Sequence, residues 1–200
     1  MAKKTVVESR TLLLDDFLKV EAATLSHERF DGTMSEAVRR LDVVRNDAVA
    51  ALVVNKARGS VVLVRQFRYA TLSRGEGWLT ETVAGLVDEG EVPEDAVRRE
   101  ILEETGYEAG VLEPVFTFYP TPGITSERIV LFCAETRASK PAGKGGGVAD
   151  EHEDIEVIEL SFADAFARLD RGEFADGKTI IALQWLRERL RAPVNAPRPR

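Results

Sequence analysis

Glu100, Glu103 and Glu104 stand beside Arg99 in the stretch Arg99-Glu100-Ile101-Leu102-Glu103-Glu104. Each residue of a helix turns the chain by about 100°, so these three carboxylates share a sector of about 100°. Carboxylates that close repel one another unless a cation sits between them. Oxygen-only donors suit Mg²⁺, Mn²⁺ or Ca²⁺. The segment therefore predicts a divalent-metal site on a helix. The plain alternative is a solvated acidic face, the ordinary place for charges on a helix.

The wider spacing weighs against that alternative. Gly85 is followed by five residues, Glu91, seven more, and then Arg99-Glu100, an apolar residue, any residue, Glu103-Glu104, Thr105, Gly106 and Tyr107. This pattern of 23 residues resembles the Nudix box in full, with Tyr107 where an aliphatic residue is commoner. The resemblance implies hydrolysis of a diphosphate linkage, with metal ions bridging phosphate oxygens and lowering the pKa of bound water. It implies that Glu100, Glu104 and the carbonyl of Ala84 bind Mg²⁺ (or Mn²⁺), with Glu103 as a further ligand or catalytic group. Gly85, Glu91, Arg99 and Gly106 match positions that brace the loop and helix.

Three other segments bear on substrate. Tyr119-Pro120-Thr121-Pro122-Gly123-Ile124-Thr125-Ser126-Glu127-Arg128 resembles the segment after the box in ADP-ribose pyrophosphatases, where the proline matching Pro122 marks the branch. The resemblance implies a role for Glu127 toward a metal-bound water or the sugar. A proline-glycine pair alone would be a type II turn. Gly145-Gly146-Gly147 leads into Asp150-Glu151-His152-Glu153-Asp154, and related enzymes carry their general base in this loop. Glu151 is the first candidate and Glu153 the second. Arg65-Gln66-Phe67-Arg68 resembles a strand end of the same branch, with Arg65 and Arg68 as a diphosphate clamp and Phe67 in the core. Glu81 matches an acidic position that contacts sugar hydroxyls. The triple glycine, acidic loop and Asp176-Gly177-Lys178-Thr179 turn look most like the GDP-mannose pyrophosphatase group. GDP-mannose or ADP-ribose is the expected substrate class. Nucleoside triphosphates, dinucleoside polyphosphates, a different carboxylate chemistry and a non-catalytic binding module are the alternatives.

The elements that must position these residues follow from patterning. The resemblance implies an α/β Nudix fold, a mixed sheet between helices with an N-terminal antiparallel β element. Residues 47–54 and 60–66 are β-branched and apolar and predict two sheet strands joined by the turn Asn55 to Gly59. Residues 80–84 predict a strand running into a glycine turn. Pro93 suits a first helical position, Glu94 and Asp95 suit the helix dipole, and Gly106 ends that helix. Strands are predicted at 110–119, 128–135 and 155–160, a flexible loop at 138–150, and helices at 162–169 and 179–190. Residues 1–45 show only strand-like pieces and a turn at Asp31-Gly32-Thr33. The expected organisation is 1–45 as a dimer-forming β element, 46–191 as the hydrolase domain and 192–200 as a disordered tail. The resemblance implies a homodimer whose N-terminal strands pack on the partner.

Composition narrows the field further. A formal charge of −7 argues against a nucleic-acid-binding surface. The single cysteine, Cys133, excludes an internal disulfide and suits a reducing, cytoplasmic setting. Two histidines and one cysteine argue against a structural zinc site. No apolar run approaches the roughly 18 residues of a membrane helix, and the N-terminus lacks a signal-peptide core.

Overall fold

The computed structural model describes residues 2–148, 150 and 152–191. Two compact units divide the chain: Met1–Asp47 with Tyr119–Arg128, and Ala48–Phe118 with Ile129–Arg200. The expected tail at 192–200 lies outside the described residues.

The larger unit is a seven-stranded mixed sheet with helices on both faces. Its path runs β10 (Glu156–Ser161), β5 (Ser60–Phe67), β4 (Ala48–Asn55), β9 (Ile129–Thr136), β8 (Ala109–Phe118). The β4–β9 pair is parallel and its neighbours are antiparallel. Every residue of β4 is buried. Its even positions, Ala50, Leu52 and Val54, join one core with Leu183 and Leu186, while Val49, Ala51 and Val53 join another with Val97 and Ile101. A strand covered on both faces has no polar side to show, which is why its sequence reads as a continuous apolar run.

The first core lies under α2 (Phe162–Asp170) and α3 (Gly177–Arg191). The second lies under α1 (Pro93–Thr105), which buries Ala96, Val97 and Ile101 in it and buries Glu104 and Thr105 as well. Pro93 opens α1 with no side-chain cap at Val92. Gly106 closes it at φ 71°, donating its N–H to the Leu102 carbonyl. That left-handed turn is one a Cβ would oppose.

The segment read as one strand into a glycine turn is instead two strands. β6 (Trp78–Glu81) pairs with β5, and β7 (Val83–Leu86) pairs with β4. The chain changes partner at Thr82, whose N–H is taken by the Thr179 hydroxyl at 2.7 Å. Gly85 therefore lies within β7. Its value there is space, since a Cβ would collide with the Glu100 carboxyl.

The N-terminal unit is a three-stranded antiparallel sheet, β1 (Thr5–Asp15), β2 (Lys19–His27) and β3 (Val38–Val44). Glu8 and Leu13 fall at register shifts in β1. Asp31 closes the β2–β3 connection by accepting from the Thr33 amide and hydroxyl. Segment Tyr119–Arg128 belongs to this unit: Ile124 accepts from the Val43 amide, and Arg128 forms an ion pair with Asp47. Among the described residues of the unit, only Ala22 is a buried apolar one.

Candidate active site

Arg99 organises the box residues. Its guanidinium donates to both Glu91 oxygens at 3.2 and 3.1 Å, to the Leu86 carbonyl at 3.2 Å, to Glu100 at 2.7 Å and to Glu103 at 3.2 Å. The planar fork of five N–H donors makes this possible, where an ammonium would not serve so many directions. The hydrogen bonds from Arg99 hold the Glu91 carboxyl below its ordinary range. Glu91 also accepts from the Asp88 amide and so fixes the loop before α1.

Glu104 is the anomaly. It is 1 % exposed, and its Oε2 has no hydrogen-bond partner. Burial raises its pKa well above the ordinary value, and the charges of Glu100 and Glu153 push the same way; Arg68 and the Ala84 backbone oppose them. Glu100 is raised for the same first reason, burial, with Glu103 and Glu153 adding to it against Arg99. Among the described residues, no three His, Cys, Asp or Glu side chains stand close enough as they lie to enclose a metal ion. Arg99 takes up both Glu100 and Glu103. The donors nonetheless fit a hard divalent cation. They are all oxygens, one is buried without a partner, and the surrounding charge is negative.

Arg68 and Glu81 are bonded to each other. Glu81 is 2 % exposed and accepts from Arg68 Nε at 2.8 Å and from Lys178 Nζ at 3.3 Å. Lys178 also reaches Asp176 at 2.7 Å. Asp176 accepts from the Thr179 amide and hydroxyl and so caps α3. Cross-strand register puts Glu81 opposite Val64, on the α1 face of the sheet, and Arg68 is near enough to feel the Glu104 charge. Sequence reasoning used Asp176 to Thr179 only as a resemblance. Its functional signal was an aspartate just before an apolar-periodic helix, the ordinary N-cap pattern.

Arg65 is not brought to the glutamates. It alternates with Val64 and so faces the side shared with Leu63, away from α1. There it lies 5.9 Å from the Trp78 ring and 3.9 Å from Glu156. It lines a cavity of about 420 Å³ with Trp78, Thr80, Ile158 and Arg168. Arg65 and Arg68 therefore do not form one clamp. Phe67, expected in the core, is half-exposed and meets Trp78 edge to face at 5.6 Å.

The glycine loop is docked where a flexible one was expected. Gly146 and Gly147 donate their amides to the carbonyls of Glu104 and Glu103 at 2.8 and 3.1 Å. Ala142 and Gly143 donate to the Gly106 carbonyl. These bonds satisfy carbonyls that a helix end leaves open. Glu153, half-buried, accepts from the Val148 amide at 3.0 Å. Glu151 lies outside the described residues. Pro122 and Glu127 belong to the N-terminal unit, where Glu127 is 3.9 Å from Arg45 and its amide donates to the Thr125 hydroxyl.

A helix bearing a braced glutamate row, docked under a mixed sheet, defines a class. The NUDIX domain model matches residues 44–183, and the chain belongs to the Nudix family of hydrolases. Its similarity extends to particular relatives. It is 40 % identical over 190 residues to a GDP-mannose pyrophosphatase of Escherichia coli O1:K1 / APEC, covering 93 % of this chain and 96 % of that one. It is 42 % identical over 182 residues to a GDP-mannose pyrophosphatase of Salmonella arizonae, covering 88 % and 94 %. A crystal structure of an ADP compounds hydrolase superposes with a TM-score of 0.73 at 22 % identity, covering 94 % of this chain and 95 % of that one. That likeness supports the fold alone.

Proposed function

We propose that this hydrolase cleaves the diphosphate of a nucleoside diphosphate sugar, GDP-mannose foremost and ADP-ribose next, to a nucleoside monophosphate and a sugar phosphate. The observation that carries the reading is the buried, unpartnered oxygen of Glu104 set among Glu100 and Glu153. Such a carboxylate is costly unless a cation completes it. The names of the relatives, each matched over most of its length, give the substrate class.

Glu100, Glu104 and the Ala84 carbonyl would hold Mg²⁺, with Glu103 close by; Mn²⁺ suits the same oxygens. When bound, the ion supplies charge compensation on the phosphates and a more acidic water. The chain's own residues do the rest. Water adds to one phosphorus, the bridging oxygen leaves with the other phosphate, and a loop carboxylate takes the water's proton. Glu153 is the better-supported acceptor, because its charge already bears on Glu100 and Glu104. Arg68 faces the same side and offsets charge near Glu104. The Lys178–Glu81–Arg68 network orients it. Pro122 and Glu127 keep the substrate role that their resemblance implies.

We also read the chain as a cytoplasmic homodimer. The exposed apolar side chains of the N-terminal sheet support the dimer, and the buried thiol of Cys133 suits a reducing compartment. Among the described residues, no helix is long and apolar enough to cross a membrane.

The test is a hydrolysis panel with Mg²⁺: GDP-mannose, ADP-ribose, other nucleotide sugars, nucleoside triphosphates and dinucleoside polyphosphates. The highest kcat/KM is expected on GDP-mannose. A preference for triphosphates or dinucleoside polyphosphates would overturn the substrate reading. Tight binding of a nucleotide sugar without turnover would make the chain a binding module.

A further inference from the structure

We infer that Gly147 is a positioning residue: its missing side chain lets the glycine loop carry Glu153 against the glutamate helix. The inference rests on the role proposed above for Glu153 and deepens it.

The loop is tied down on one side and holds the carboxylate on the other. On the helix side, Gly146 and Gly147 donate to the Glu104 and Glu103 carbonyls, two of the residues whose side chains line the site. Gly145 makes the approach possible. At φ 64°, a Cβ there would fall 2.6 Å from the Thr105 carbonyl carbon and 2.8 Å from the Glu104 oxygen, both backbone atoms that cannot swing aside. On the far side the chain returns antiparallel to itself. The Glu153 amide donates to the Val148 carbonyl, the Ile155 amide to the Gly146 carbonyl, and the Val148 amide to the Glu153 carboxylate.

Gly147 joins these two halves. Its N–H is spent on the helix, at φ 84°. A Cβ on it would lie 2.6 Å from Glu153 Cβ and 2.6 Å from Glu153 Oε2, with Ile155 Cδ1 at 3.1 Å. The clash with Cβ cannot be relieved by turning the Glu153 side chain, because Cβ is fixed by the backbone. A methyl at 147 therefore moves the stem of Glu153, and with it the carboxylate. Gly146 differs in the one respect that matters. It too has a positive φ, 101°, but a Cβ there meets nothing nearer than the Ile155 carbonyl at 3.7 Å. Alanine at 146 brings the same kind of backbone strain without touching Glu153.

The experiment is a double-mutant cycle on the full chain with GDP-mannose and Mg²⁺, using Gly147→Ala, Glu153→Gln and both together, with Gly146→Ala as the strain-matched control. The expected result is a kcat loss of tenfold or more for Gly147→Ala, with KM changed less than threefold. The double variant is expected to be no slower than Glu153→Gln alone, and Gly146→Ala faster than Gly147→Ala. Losses that multiply in the double variant, or equal losses at 146 and 147, would overturn the inference. If Glu153→Gln turns over normally, the reading of Glu153 as proton acceptor fails by itself. Hydrogen exchange then judges the positioning: Gly147→Ala should speed exchange of the Val148 amide, which Glu153 holds, and unchanged protection there would overturn it.

Discussion

Glu104 sets the terms at the scale of the residue, because its burial conflicts with its charge. A carboxylate that is desolvated and surrounded by Glu100 and Glu153 resists ionising in the folded chain, while the unfolded chain lets it ionise freely. With its folded pKa raised, the group costs stability at every pH above its unfolded value. Glu104→Gln removes that cost and keeps the shape. The metal-free variant should therefore melt at a higher temperature than wild type in EDTA at pH 7.5. It should also lose kcat by roughly 100-fold or more, the scale of a lost metal contact worth several kcal/mol. Calorimetry and a turnover assay check the two halves. A variant both less stable and active would show that Glu104 is an ordinary packed side chain. The box glutamates were legible in the sequence because their spacing is local to one helix. Which of them is buried was not, since that depends on a sheet face built from residues far along the chain.

The element scale explains why the network around Glu81 escaped a reading by segments. Glu81, Arg68 and Lys178 come from a strand, a strand end and a helix start, and only the β5–β6 register and the seating of α3 bring them together. The break at Thr82 was equally hidden, because the chain there leaves one partner strand for another and Thr179 takes the stranded amide. The loop at 138–150 misled through composition. Its glycines read as slack, whereas they serve close approach to carbonyls about forty residues earlier. Asp176 offers a direct test at this scale. Burial alone would raise its pKa, but Lys178 and the hydrogen bonds from Lys178 and Thr179 outweigh burial and hold it below the ordinary value. Its stabilising effect is therefore full above the unfolded carboxylate range and is lost as pH falls through the lower folded pKa. Asp176→Ala should cost about 1–2 kcal/mol in urea unfolding at pH 7, the scale of a lost helix cap. The gap from wild type should shrink as pH drops below about 4, where the unfolded aspartate protonates. A gap constant with pH would mean that Asp176 acts by shape and not by charge.

At the scale of the whole molecule, the two units differ in how well each can stand alone. The larger unit has a core on both sheet faces, and periodicity made its strands and helices readable because each element has one or two buried faces. The thiol of Cys133 lies within one of those cores and is pushed up to about 12 by burial. It should resist thiol reagents in the native state. Above pH 9 the unfolded chain ionises this thiol and the folded chain does not, so stability should fall by about 1.4 kcal/mol per pH unit more in wild type than in Cys133→Ala. The N-terminal unit was the least patterned stretch, and the structure gives the reason. β1 is exposed along its whole length, with Val6, Val7, Leu12, Leu13 and Leu14 among its exposed residues and Phe17 87 % exposed in the turn that follows. A sheet that buries almost nothing of its own lacks the means to order itself, and large exposed apolar side chains in a row mark a surface meant to be covered. A second copy of the chain is the occupant proposed here. Leu12→Asp with Leu14→Asp puts one charge on each face of β1, because the register shift at Leu13 sets them opposite Glu21 and Val20, without changing the larger unit. Light scattering should then report a monomer where wild type gives a dimer, with the melting of the larger unit little altered. A wild-type monomer at micromolar concentration, or a double variant that still dimerises, would remove the N-terminal sheet as the interface.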